Sequence, residues 1–158
     1  YGMTNFGLSE KSTGIEVDVY GNEYLRNVGI NWFESKGKGE GAPMEFYWYY
    51  YTPKNELVIR FRHYDKSKNI DNYETVKSIK ATDSHIDSTK HNILKIRTTD
   101  SGKVEFYANS YLVHTESKSK LAKAGNITIC YQTVNGQTYS KEKPALATWK
   151  FLKEQVLK

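Results

Sequence analysis

Apolar and polar positions alternate with a period of two along much of this chain. Ile15, Val17 and Val19 point one way while Glu16, Asp18 and Tyr20 point the other. Leu57, Ile59 and Phe61 likewise oppose Arg60, Arg62 and Tyr64. Period two is the mark of a strand with one face in the core and one in water. Runs of this kind, broken by Gly, Asn, Asp, Ser and Lys clusters, predict strands over about 2–8, 14–20, 25–34, 45–52, 56–64, 72–80, 91–99, 103–108, 111–115, 126–134 and 146–153. In 91–99, Ile93 faces away from Leu94 and Ile96, which suits a strand covered on both sides. Residues 103–109 followed by Tyr111-Leu112-Val113 predict a hairpin turning at Asn109-Ser110. The tail through Leu152, Val156 and Leu157 fits a strand or a short helix, and a turn is expected near 119–124. The breakers are strongest in 35–43 and 135–145, and no repeat of solenoid or propeller length occurs. The pattern predicts an all-β, antiparallel sandwich or barrel.

Composition narrows the picture. The 158 residues suffice for one domain with a real core, and nothing between them reads as an interdomain linker. Much of the hydrophobic fraction is aromatic, with 13 Tyr, 6 Phe and 3 Trp, which favours strands. No apolar run is long enough for a membrane-spanning helix. The chain starts at Tyr1, so it is expected to be a module of a larger protein. The single Cys130 rules out an internal disulfide. The net charge of +5 comes from lysines scattered over loops such as 36–38, 66–68 and 118–120. Nucleic-acid binders gather basic residues on one face, so a nucleic-acid partner is not expected.

Two stretches carry candidate chemistry. In Glu16-Val17-Asp18-Val19-Tyr20-Gly21-Asn22, acidic and amide groups share the open face of a strand. That suits a hard cation, a sugar or general acid–base work, and equally a plain solvated strand face. The run Phe46-Tyr47-Trp48-Tyr49-Tyr50-Tyr51 is aromatic on both faces of one strand. One set, either Phe46, Trp48 and Tyr50 or Tyr47, Tyr49 and Tyr51, fills the core; the other would offer flat rings and hydroxyls to a sugar. Of these, Trp48 or Tyr49 is expected to meet the ligand most directly. Arg60 and Arg62 could extend that face with hydrogen-bond donors. The four His show no metal-ligand spacing, and Gly37, Gly39 and Gly41 read as a loop rather than a phosphate cradle.

The order of the pieces resembles the concanavalin-like jelly-roll superfamily of L-type lectins, laminin-G-like modules and laminarinase-type hydrolases. Three stretches carry the resemblance: Glu16 to Asn22 followed by Asn27-Val28-Gly29-Ile30-Asn31; Val104 to Val113 with its strand-turn-strand pattern; and Ala147-Thr148-Trp149-Lys150-Phe151 as a closing strand. The first is similar to the metal-binding run of legume lectins and implies Glu16, Asp18 and Asn22 as ligands for calcium. Asn27 stands where those lectins have a histidine, which favours one calcium, or none, over a two-metal site. Laminarinase-type enzymes carry a third acid on this strand; here Gly21 falls there, leaving Glu16 with a distant Glu105 as the catalytic alternative.

The resemblance implies a two-sheet jelly roll that binds a poly- or oligosaccharide without catalysis, outside the cell or on its surface. The expected ligand-binding residues are Tyr47, Trp48, Tyr49, Tyr51, Arg60, Arg62, Tyr20 and Tyr107 on a concave sheet. A divergent glycoside hydrolase or polysaccharide lyase, and a laminin-G-like protein-interaction module, remain open as alternatives.

Overall fold

A computed structural model describes residues 2–5, 12–22, 24–34, 44–50, 55–65, 67–117, 125–133, 141–142 and 144–156. These hold the strands β1 (Gly2–Asn5), β2 (Ser12–Gly21), β3 (Leu25–Glu34), β4 (Met44–Tyr49), β5 (Glu56–Asp65), β6 (Ile70–Lys80), β7 (Asn92–Thr98), β8 (Lys103–Ala108), β9 (Tyr111–Ser117), β10 (Gly125–Thr133) and β11 (Ala147–Val156). Every strand expected from the sequence has a counterpart. The tail is resolved in favour of a strand, because β11 pairs with β2 along its length, from Ala147 opposite Gly21 to Val156 opposite Ser12. A single 3-10 turn, Ala81–Asp83, was not foreseen, and the turn expected at 119–124 lies outside the described residues.

The strands form two antiparallel sheets. One has six strands in the order β1-β10-β3-β4-β5-β6, the other five in the order β11-β2-β7-β8-β9. The chain crosses between the sheets after β1, β2, β6, β9 and β10. This is the two-sheet jelly roll that the sequence implies. The predicted hairpin turns where expected: Asn109 and Ser110 both have positive φ, 48° and 71°, the left-handed pair a two-residue hairpin requires.

The core lies between the sheets. The inward positions are Ile15, Val17 and Val19 of β2, Val28, Ile30 and Trp32 of β3, Met44, Phe46 and Trp48 of β4, Leu57, Ile59 and Phe61 of β5, Leu94 and Ile96 of β7, and Val104, Phe106 and Ala108 of β8. Phe46 and Phe106 meet edge to face across the layer, centroids 5.4 Å apart. At one end Tyr50 joins the sheets, its hydroxyl accepting a hydrogen bond from the Gly21 N–H at 2.8 Å. Gly21 is needed there, since a Cβ would lie 2.7 Å from the Tyr50 ring.

Candidate functional site

Alternation along β4 settles which aromatics face inward. Phe46, Trp48 and Tyr50 lie in the core, and Tyr47 and Tyr49 lie on the outward face of the six-stranded sheet. Trp48, expected in the ligand site, is instead buried, edge to face with Tyr50 at 6.3 Å. Its parity on the strand is that of Phe46, so no outward placement was open to it. Tyr51 and the side chain of Arg62 lie outside the described residues.

The outward face is built from β3, β4, β5 and β6. Across its β3–β4 half it is closed: Asn27, Asn31, Glu45 and Tyr47 are all buried. The Tyr47 ring lies over Gly29, directly opposite in the ladder, where a Cβ would meet the Phe46 carbonyl oxygen at 2.1 Å and the ring at 2.6 Å. The Tyr47 hydroxyl donates to Asn31 Oδ1. Gly29 and Asn31 thus seat a tyrosine, a role unlike the metal motif their sequence resembles.

Toward β5 and β6 the face opens. Arg60 Nε donates to Glu45 Oε2, with Arg60 18 % exposed and Glu45 5 %. The guanidinium sits 4.1 Å from the centroid of the Tyr73 ring and 5.8 Å from that of Tyr49. Tyr73, on edge strand β6, is 49 % exposed. Burial alone would lower the Arg60 pKa, but Tyr49 and Glu45 outweigh it and hold the guanidinium above its usual range. Burial pushes the Tyr49 hydroxyl up against the opposing pull of Arg60, and that hydroxyl has no hydrogen-bond partner among the described residues. Glu56, opposite Lys80, accepts from the Ser78 hydroxyl at 2.5 Å on the same face. The result is an arginine held between two aromatic rings and fixed from below by a buried carboxylate, at the open half of a covered sheet.

Tyr73 and Glu45 were missed by sequence reasoning. Tyr73 had a usable signal, a lone aromatic in the polar run Asp71-Asn72-Tyr73-Glu74-Thr75. Glu45 had little, since a strand's first acid usually faces water.

The other expected site residues lie elsewhere. Tyr20 and Tyr107 are on the outward face of the five-stranded sheet, the far side of the sandwich from Tyr49 and Arg60. They cannot share one ligand platform with them. Tyr20 stacks on His91 at 5.2 Å, and Tyr107 lies under Lys95 at 5.2 Å and donates to Glu105 at 3.0 Å.

Glu16 and Asp18 also face outward from the five-stranded sheet, so the run through Asn22 and the run from Asn27 to Asn31 lie in opposite sheets. Asp18 Oδ1 is 3.0 Å from His91 Nδ1. Asn22 turns away: its Oδ1 accepts from the Tyr24 and Leu146 N–H groups at 3.3 and 3.1 Å, and its Nδ2 donates to the Pro144 carbonyl at 2.7 Å. Calcium would have to displace the His91 ring and both backbone donors, so the three residues as placed do not fit a calcium cage. Among the described residues no group of three or more His, Cys, Asp and Glu could hold a metal ion.

Glu16 and Glu105, the catalytic alternative, stand on strands that are not neighbours. Strand β7 separates them, Glu16 standing opposite Lys95 and Glu105 opposite Arg97. Two strand spacings put their backbones roughly 10 Å apart, whereas the carboxyls of a retaining glycosidase stand ~5–5.5 Å apart. Hydrogen bonding from Arg97, at 2.5 and 3.0 Å, holds the Glu105 carboxyl below its usual range, the wrong direction for a general acid.

No protein-family model and no curated protein matches the chain. Solved structures do. A carbohydrate-binding module, CBM66, from Bacillus subtilis is 14 % identical with a TM-score of 0.60, the alignment covering 97 % of this chain and 81 % of that one. A tetrameric galectin from the ball sponge Cinachyrella sp. is 10 % identical with a TM-score of 0.59, over 98 % and 99 % of the two chains. A Bacillus licheniformis β-glucanase is 14 % identical with a TM-score of 0.55, over 93 % and 69 %. At such identities the likeness establishes a shared two-sheet jelly-roll fold and nothing beyond it.

Proposed function

We propose that this chain is a non-catalytic saccharide-binding module whose site is the open half of the six-stranded sheet, with Tyr49, Arg60 and Tyr73 in contact with ligand and Glu45 beneath. The observation that carries this reading is the Arg60 guanidinium between the Tyr49 and Tyr73 rings, tied to Glu45. Aromatic faces give a sugar ring apolar contact, and a fixed guanidinium orients it through hydrogen bonds. The fold, shared with a carbohydrate-binding module and a galectin, agrees with the reading. So does the Arg97 hydrogen bonding that holds Glu105 below its usual range, which disfavours it as a general acid. A saccharide partner is in turn consistent with a location outside the cell or on its surface. The test is a glycan array or affinity-gel screen with the wild type, Arg60→Met and Tyr73→Ala, beside a hydrolysis assay on the polysaccharides bound. Binding by the wild type, loss in Tyr73→Ala at unchanged melting temperature, loss in Arg60→Met at a lowered melting temperature because Glu45 is left buried without its partner, and no reducing ends released are expected. Release of reducing ends by the wild type would overturn the non-catalytic reading.

A further inference from the structure

The electrostatics of the same face say which saccharides it takes. Arg60 is partnered by Glu45, a buried carboxylate that stands, among the described residues, opposite Asn31 of β3. The guanidinium charge is therefore neutralised from below, while one Nε–H donated to Glu45 leaves Arg60 with further N–H donors. Glu56 accepts from the Ser78 hydroxyl and stands opposite Lys80 in the ladder. Arg26 is exposed to solvent and acts on Tyr49 from the rim, where salt screens it.

A sulfate or carboxylate brought onto Arg60 would stand beside the Glu45 carboxylate in a partly desolvated site. Glu45 cannot be rehydrated in place, so like-charge repulsion would oppose the gain from Arg60. Hydroxyl and ring oxygens carry no such penalty. They accept from a neutralised guanidinium as well as they accept from water, and the sugar ring still stacks on Tyr73.

We propose that this face selects neutral saccharides and rejects sulfated or uronic-acid ones, and that Glu45 is the residue that sets this selectivity; the proposal rests on the saccharide-binding reading above. The test compares pairs that share one backbone and linkage and differ in their charged group: desulfated and native κ-carrageenan oligosaccharides, and fully methyl-esterified and free polygalacturonate oligosaccharides. Calorimetry is run at low and high salt on the wild type and on Glu45→Gln, which keeps an acceptor for Arg60 but removes the charge. For the wild type, the neutral member of a pair should bind at least about tenfold tighter than its charged partner. Its affinity should change less than about twofold between roughly 20 and 500 mM salt. Glu45→Gln should gain about tenfold for the charged member, and that gain should fade with salt. A wild type that prefers the charged members would overturn this inference and leave saccharide binding standing. A folded Glu45→Gln with unchanged selectivity would take the role away from Glu45. Binding of neither class would remove the saccharide reading itself. The wild-type salt titration decides between neutral and charged ligands whether or not the variant folds.

Discussion

At the scale of single residues, two adjacent outward tyrosines of β4 have opposite standing. Tyr47 is buried over Gly29 and its hydroxyl is satisfied by Asn31. Tyr49 carries a buried hydroxyl with no partner among the described residues. A buried hydrogen bond contributes about 1 kcal/mol, whereas an unsatisfied buried polar atom costs about 1–3 kcal/mol. Tyr47→Phe is therefore expected to lower stability by about 1 kcal/mol, and Tyr49→Phe to raise it by a similar amount. Urea unfolding of the two variants beside the wild type checks both signs. Equal losses would show that the Tyr49 hydroxyl is satisfied in solution.

At the scale of the strand, β4 separates stability from binding. Trp48→Ala would empty a core position against Tyr50 and is expected to cost about 3–5 kcal/mol. Tyr49→Ala, on the outward face, should cost far less and abolish saccharide binding. Melting temperatures and affinity-gel retardation measured on the same two samples compare them. The strand's inward end also sets an alkaline limit. Burial raises the Tyr50 pKa to about 12, with a smaller opposing effect from the Gly21 N–H. Unfolded, Tyr50 would ionise near pH ~10. Above that pH the unfolded chain holds fewer protons than the folded one, so Tyr50's contribution, complete below about pH 10, is lost between about pH 10 and 12. Tyr50→Phe should flatten this part of the decline, visible as a smaller shift of the urea midpoint between about pH 9 and 11.

For the whole molecule, the two outward faces have become distinct. The five-stranded sheet presents polar pairs, Asp18 against His91 and Arg97 against Glu105, and the six-stranded sheet presents the covered aromatic face. With Asn22 committed to the backbone of residues 24, 144 and 146, millimolar calcium should leave the melting temperature unchanged, and EDTA should leave saccharide binding intact. A calcium-dependent rise in melting temperature would mean that Asn22 and Asp18 give up their present partners for the ion.

Period-two patterning was enough to place every strand, because alternation follows from strand geometry and needs no knowledge of neighbours. It also put Arg60 opposite the core-facing Ile59 and Phe61, and it narrowed the aromatic strand to two sets of rings. Which set faced inward was a matter of tertiary structure alone: both were aromatic, and only the stacking of Phe46 on Phe106 from the other sheet decides between them. The same holds for the residues that were grouped wrongly. Glu16 and Asp18 lie close in sequence to Asn27 and Asn31, yet the chain changes sheets between β2 and β3 and sends them to opposite faces. Tyr73, distant in sequence from Tyr49, reaches Arg60 because β4, β5 and β6 are neighbours in one sheet. Local sequence determines where each side chain points relative to its own strand; which strands lie side by side, and so which side chains make a site, is decided by how the two sheets assemble around a common core.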